Sequence, residues 1–168
     1  EMACEWNKNM KEFISGWVIS LDESMSSWIN HWTCPGWIFC PRKPHPFGSK
    51  WHMACCGLSG ILFSFELVEG KDAPPEMDVQ HAHHGKMTGL LLRILQTYFL
   101  TGKYVVLNSG FCMLKAIIEL QKVGVFACAL IKKRQNWPSG VPGDAMQRRF
   151  DRPEVKVGDV DAITGVQD

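Results

Sequence analysis

The stretch Tyr104-Val105-Val106-Leu107-Asn108-Ser109-Gly110-Phe111-Cys112-Met113-Leu114-Lys115 decides how the chain is read. Tyr104–Leu107 is a short apolar run rich in β-branched residues and predicts a buried strand. Asn108-Ser109-Gly110 is a polar corner, and the apolar spacing that follows predicts a helix over Phe111–Val123, closed by Gly124. Ligands of open α/β sheets bind beyond the carboxyl ends of strands. The residue at this corner is thus a candidate for chemistry. An aspartate there would be a strong metal ligand, whereas Asn108 offers a neutral, weak one.

Downstream, Val125–Ile131 predicts another strand, with Lys132-Lys133-Arg134 at its end and turn-rich Trp137–Gly143 beyond. The tail has one expected strand near Val157–Ile163. Upstream, Thr88 is placed to cap a helix whose Leu91, Leu92, Leu95 and Phe99 share a face, with Gly102 stopping it. Before that lie a polar loop, Gly70–Gly85, and a hairpin of Lys50–Cys56 and Ile61–Val68 about Gly57-Leu58-Ser59-Gly60.

Trp17–Ser24 is an apolar run closing on two carboxylates, and Asp22 is expected at the carboxyl end of that strand. Residues 26–49, rich in Trp, Pro and Gly, predict a long irregular connection with a short strand at Trp37–Cys40. Its tryptophans would pin the loop over one end of the sheet, or Arg42, Lys43 and His45 would face a phosphate. Residues 1–16 read as an arm or short helix, and residues 17–168 as one domain. The sum is an α/β fold with a mixed sheet, an antiparallel hairpin beside parallel strands joined by helices.

The composition suits a globular domain: 168 residues, 46% apolar and 21% charged. A net charge of +1 provides no global attraction for nucleic acid or anionic lipid, so basic function needs a local cluster. Seven cysteines without a CxxC spacing argue against a disulfide framework or zinc ribbon and for an intracellular protein with reduced thiols. No apolar run approaches the roughly 18–20 residues of a membrane span, so no membrane partner is expected.

Asp22 and Asn108 would be neighbours if their strands are adjacent. With aspartate at both, the pair would suit Mg²⁺ or Mn²⁺ and phosphoryl transfer; a lone strand-end aspartate is otherwise a turn or cap residue. His81, His83 and His84 could bind a transition metal, and with Cys55-Cys56 could sense metal or redox state, or be solvated loop. Cys112 near a helix start lacks a base and reads as core. Lys132, Lys133 and Arg134 with Trp137 form either a nucleic-acid contact or a solvated strand end.

Several runs together resemble the catalytic domain of PiggyBac-type transposases and the host proteins derived from them. They are Leu21–Trp28, Pro41–Gly48, Leu67–Lys71, Gly89–Arg93, Val105–Lys115 and Gly124–Pro138. The resemblance implies a ribonuclease-H-like fold, a mixed sheet flanked by helices and here truncated. In that family three aspartates bind two divalent metals to cut and join DNA. Asp22 falls at the first of these, as a metal ligand, and Asn108 at the second, in a motif that usually reads Asp-Ser-Gly-Phe. The third is expected beyond residue 168, and Lys50 stands where relatives tend to carry an acid. Loss of one anionic ligand from a two-metal site costs several kcal/mol, on the order of a thousandfold in rate.

The resemblance therefore implies a truncated, catalytically inactive transposase remnant with residual DNA binding. The alternative is a fragment of a longer active two-metal transposase. No cofactor is expected, small-molecule cofactors included, and Mg²⁺ or Mn²⁺ only if a site survives. A family-like protein would be nuclear.

Overall fold

The computed structural model describes residues 2–10, 13, 16–34, 36–68, 81–131, 140–160 and 162. The strands are β1 (Val18–Ser27), β2 (Trp37–Phe39), β3 (Phe47–Cys56), β4 (Leu62–Leu67), β5 (Tyr104–Leu107) and β6 (Phe126–Ala129). The helices are α1 (Met2–Asn9), α2 (Lys86–Leu95), α3 (Leu114–Lys122) and α4 (Gly143–Phe150). Residues 1–130 form one compact unit and residues 131–168 a second.

In the first unit the sheet runs β2-β3-β1-β5-β6, with β4 also paired to β3. β1, β2, β3 and β4 pair antiparallel, whereas β1–β5 and β5–β6 are parallel. This is the mixed sheet flanked by helices that the sequence predicts. The parallel half follows from the helical crossovers α2 and α3, because parallel neighbours need a long connection.

Alternation puts Ile19, Leu21, Val105 and Leu107 on one face, where they are at most 2% exposed. α2 covers that face with Leu91 and Leu95, and α3 contributes Ala116 and Leu120. Phe111, the first apolar residue after the polar corner, is fully buried in the same core region. Ser64 inside it is satisfied by donating to the Ile94 carbonyl at 2.9 Å.

On the other face α1 packs at β4, where the Asn7 amide both donates to the Phe65 carbonyl and accepts from the Phe65 N–H, each at 2.9 Å. One side chain thereby stands in for a neighbouring strand at a sheet edge. Further along that face Tyr104, Val106 and Phe126 are 40–47% exposed.

Several expectations are corrected. β1 does not end at the carboxylates: β3 is a ten-residue partner, and pairing continues to Ser27↔Gly48, so Asp22 is mid-strand. β3 accordingly starts at Phe47 rather than Lys50. Gly48 permits this close approach, since with φ +149° a Cβ there would collide with the Ser26 carbonyl.

Thr88 does not cap α2. The helix starts two residues earlier, after Gly85 at φ 90°, and Thr88 is buried within it. In the second unit no strand forms over the described residues near Val157, and α4 occupies a stretch for which no element was expected. Pro142 before that helix and Arg148-Arg149 in its last turn are start and stop signals that the turn-rich flank obscured.

Candidate functional site

Parallel pairing of β1 and β5 ends at Leu21↔Leu107, so the next residues, Asp22 and Asn108, meet across the end of the ladder. The neighbourhood expected of this pair is present. Asn108 Nδ2 donates a hydrogen bond to Asp22 Oδ1. The Glu23 backbone N–H donates to the same oxygen at 2.7 Å. At its other end Asn108 Oδ1 accepts the Gly110 N–H at 2.8 Å. These contacts fix the amide's orientation, because a flipped amide would face oxygen to carboxylate and NH₂ to N–H.

Glu23 points to the opposite face of β1. Its Oε1 lies 2.5 Å from Lys50 Nζ and 3.7 Å from His52 Nε2. His52 pairs in register with Glu23 on one side and Glu66 on the other. Glu66 is gripped by Arg93 of α2 through two hydrogen bonds, Nη2–Oε1 at 2.7 Å and Nε–Oε2 at 3.2 Å. Burial above all, and then the Lys50 ammonium, hold the His52 pKa below its ordinary 6.5 against the upward pull of Glu23 and Glu66. Its ring stands edge-on to Phe111, 5.3 Å between centroids.

Sequence reasoning noted Lys50 but missed the array around it. The spacing Lys50, His52 on one strand face was the available signal. Its partner Glu23 emerges only from the β1–β3 register. Lys43 was a phosphate candidate; its Nζ donates to the Glu23 carbonyl at 3.3 Å.

Among the described residues the remaining candidates do not converge on this corner. Lys132, Lys133 and Arg134 lie outside the described residues. His83 and His84 sit on a short 3₁₀ turn, with His84 Nδ1 3.8 Å from Glu119 Oε2 of α3. Cys55 and Cys56 are consecutive strand residues and face opposite sides. The Ser59 hydroxyl and backbone N–H lead in lowering the Cys56 thiol to about 6, while burial raises Cys55. Burial also raises Cys112.

Divalent hard cations need several convergent anionic oxygens. Here Asp22 brings one carboxylate, and one of its oxygens already receives two N–H donors. Glu23 faces away and is paired with Lys50. Among the described residues no group of three or more His, Cys, Asp or Glu is placed to hold a metal ion. The described residues do not fit a two-metal centre.

A mixed α/β sheet with an acid–amide pair at the end of its parallel ladder defines the class: an α/β domain with its polar site at a strand-end corner. The family model described as "Transposase IS4" matches residues 1–165, and the chain belongs to that family. The fold is similar to that in a structure described as the piggyBac transposase synaptic complex with hairpin DNA, with TM-score 0.62 and 14% identity. That match covers 83% of this chain, which spans 27% of the length of the other. A comparison with curated proteins found no match. Among the described residues no helix is long and apolar enough to cross a membrane.

Proposed function

We propose that this chain is a PiggyBac-type transposase-derived domain that does not cut DNA and keeps a nucleic-acid contact. The observation that carries this reading is the Asn108 Nδ2 hydrogen bond to Asp22 Oδ1. An amide N–H is directed at the carboxylate from the residue where the family resemblance implies a second aspartate. The pair therefore satisfies itself internally, with a neutral donor where a metal would need a second negative charge. The Lys50 ammonium on Glu23 likewise engages the nearest other carboxylate of β1.

Support for a DNA partner comes from family membership and from the DNA in the similar piggyBac complex. Lys132-Lys133-Arg134 provide basic charge for such a contact. On this reading the protein is intracellular and meets DNA in the nucleus.

The test is cleavage of a labelled DNA substrate in Mg²⁺ or Mn²⁺ by wild type, Asp22→Ala and Asn108→Asp. No product from wild type is expected. Cleavage by wild type that disappears in Asp22→Ala would contradict the proposal and favour a piece of a longer active transposase.

A further inference from the structure

Between Glu23 and Glu66 the chain has no aspartate or glutamate, yet it carries Arg42, Lys43 and Lys50. The whole chain balances 18 basic against 17 acidic residues, so this stretch, lacking acids, carries a net positive charge that the total conceals. It also contains four of the seven tryptophans: Trp28, Trp32, Trp37 and Trp51.

One sequence expectation was that such tryptophans would pin the loop over the sheet. The fold instead leaves several of these aromatics outside: Trp32 is 85% exposed, Phe39 55%, Trp28 52% and Phe47 43%. They are not scattered. His31 lies 4.3 Å from Trp32 and 5.6 Å from Trp37 by ring centroids. Trp37 stacks on Phe47 at 5.8 Å, and Phe47 on Phe39 at 4.9 Å. A continuous shelf of five rings results, built on the β2–β3 ladder.

Polar contacts hold the shelf's central Trp37 and the neighbouring Trp28 in place. Trp37 Nε1 donates to the Trp28 carbonyl, and Trp28 Nε1 to Thr33 Oγ1, both at 3.0 Å. Rings fixed in advance lose little freedom on binding. At the β2–β3 turn, Arg42 and His45 are exposed. The Lys43 contact to the Glu23 carbonyl ties this cationic tip to β1 one residue beyond Asp22.

We propose that the ring shelf and the Arg42–Lys43 tip bind unpaired nucleic acid, bases stacking on Trp32 and its neighbours and phosphates meeting the tip. Every base presents a π-face, so such a surface takes single strands with little regard to sequence, whereas paired bases in a duplex keep their faces covered. With Lys50 paired to Glu23, the Arg42–Lys43 tip supplies the net positive charge, which favours a polyanion over a second copy of this chain, whose identical tip would repel it. The inference rests on the transposase-derived reading only for nucleic acid as the partner, and it is independent of any metal.

The experiment is fluorescence anisotropy with labelled oligo(dT) and a duplex of equal length. The proteins are wild type, Trp32→Ala, Arg42→Glu/Lys43→Glu and Lys122→Ala on α3, each checked by circular dichroism and sedimentation. Single-strand binding should exceed duplex binding, weaken about tenfold in Trp32→Ala, weaken in the double variant and with salt, and persist in Lys122→Ala. Equal binding of folded Trp32→Ala, a preference for duplex, or no binding by wild type would overturn the proposal. So would a concentration-dependent dimer abolished by Trp32→Ala, which would assign the shelf to a second copy. Failure of the disarmed-site reading would show instead as Asp22-dependent cleavage, whatever the outcome here.

Discussion

The two halves of β1 are one continuous strand in very different settings. Val18–Leu21 has β3 on one side and β5 on the other, and Ile19 and Leu21 lie under α2 and α3. Asp22–Ser27 has β3 alone as its partner on the ladder and presents carboxylates and serines. The change falls where β5 ends at Leu107 and turns through Asn108. Burial and helix cover stabilise the first half; the second remains a strand because its backbone is paired with β3. Stability and candidate chemistry are thus adjacent on one strand yet supported by different forces.

The largest effect should come from the apolar half. Phe111→Ala removes a fully buried ring and should cost about 3–5 kcal/mol in urea unfolding. A smaller loss would mean that the core beneath the corner is loosely packed. Ser64→Ala abolishes the bond to the Ile94 carbonyl and should cost about 1 kcal/mol.

The polar half should show itself in pH dependence. His52 has a folded pKa below its unfolded value of 6.5, so the unfolded chain binds the proton more readily. Its contribution to stability is complete above 6.5 and is lost as pH falls through 6.5 toward the folded pKa. His52→Gln should therefore flatten the stability profile on the acid side of 6.5, read by urea midpoints at a series of pH values. The smallest effect is expected of Trp32→Ala, within about 0.5 kcal/mol, because the ring is 85% exposed.

Most of the first unit was legible from the chain because its signals were local. Tyr104–Leu107, the helix before Gly124 and the hairpin about residues 57–60 each had a period and a turn residue. The apolar runs placed Asp22 and Asn108 after strands, but their adjacency was conditional on those strands pairing, which the β1–β5 register supplies. The full length of β1 was not legible, since Asp22–Ser27 has little strand propensity and is extended through its pairing with β3. The Glu23–Lys50–His52 array was hidden for the same reason: cross-strand register is a long-range property. The exposed ring shelf was misjudged because large aromatics are usually buried, and composition cannot say which side of a sheet edge they occupy.

The central claim is that Asn108 satisfies Asp22 in place of a metal. It is tested most directly by thermal melts with and without Mn²⁺ for wild type, Asp22→Ala, Asn108→Asp and Asn108→Asp/Asp22→Ala. The account predicts no Asp22-dependent shift in wild type. Asn108→Asp should be destabilised without metal, with two carboxylates now adjacent, and should gain stability from Mn²⁺ that disappears when Asp22 is also removed. A metal at a hundredfold its Kd would stabilise by about 2.7 kcal/mol, well within reach of the measurement. A shift of that size in wild type, abolished by Asp22→Ala, would contradict the account.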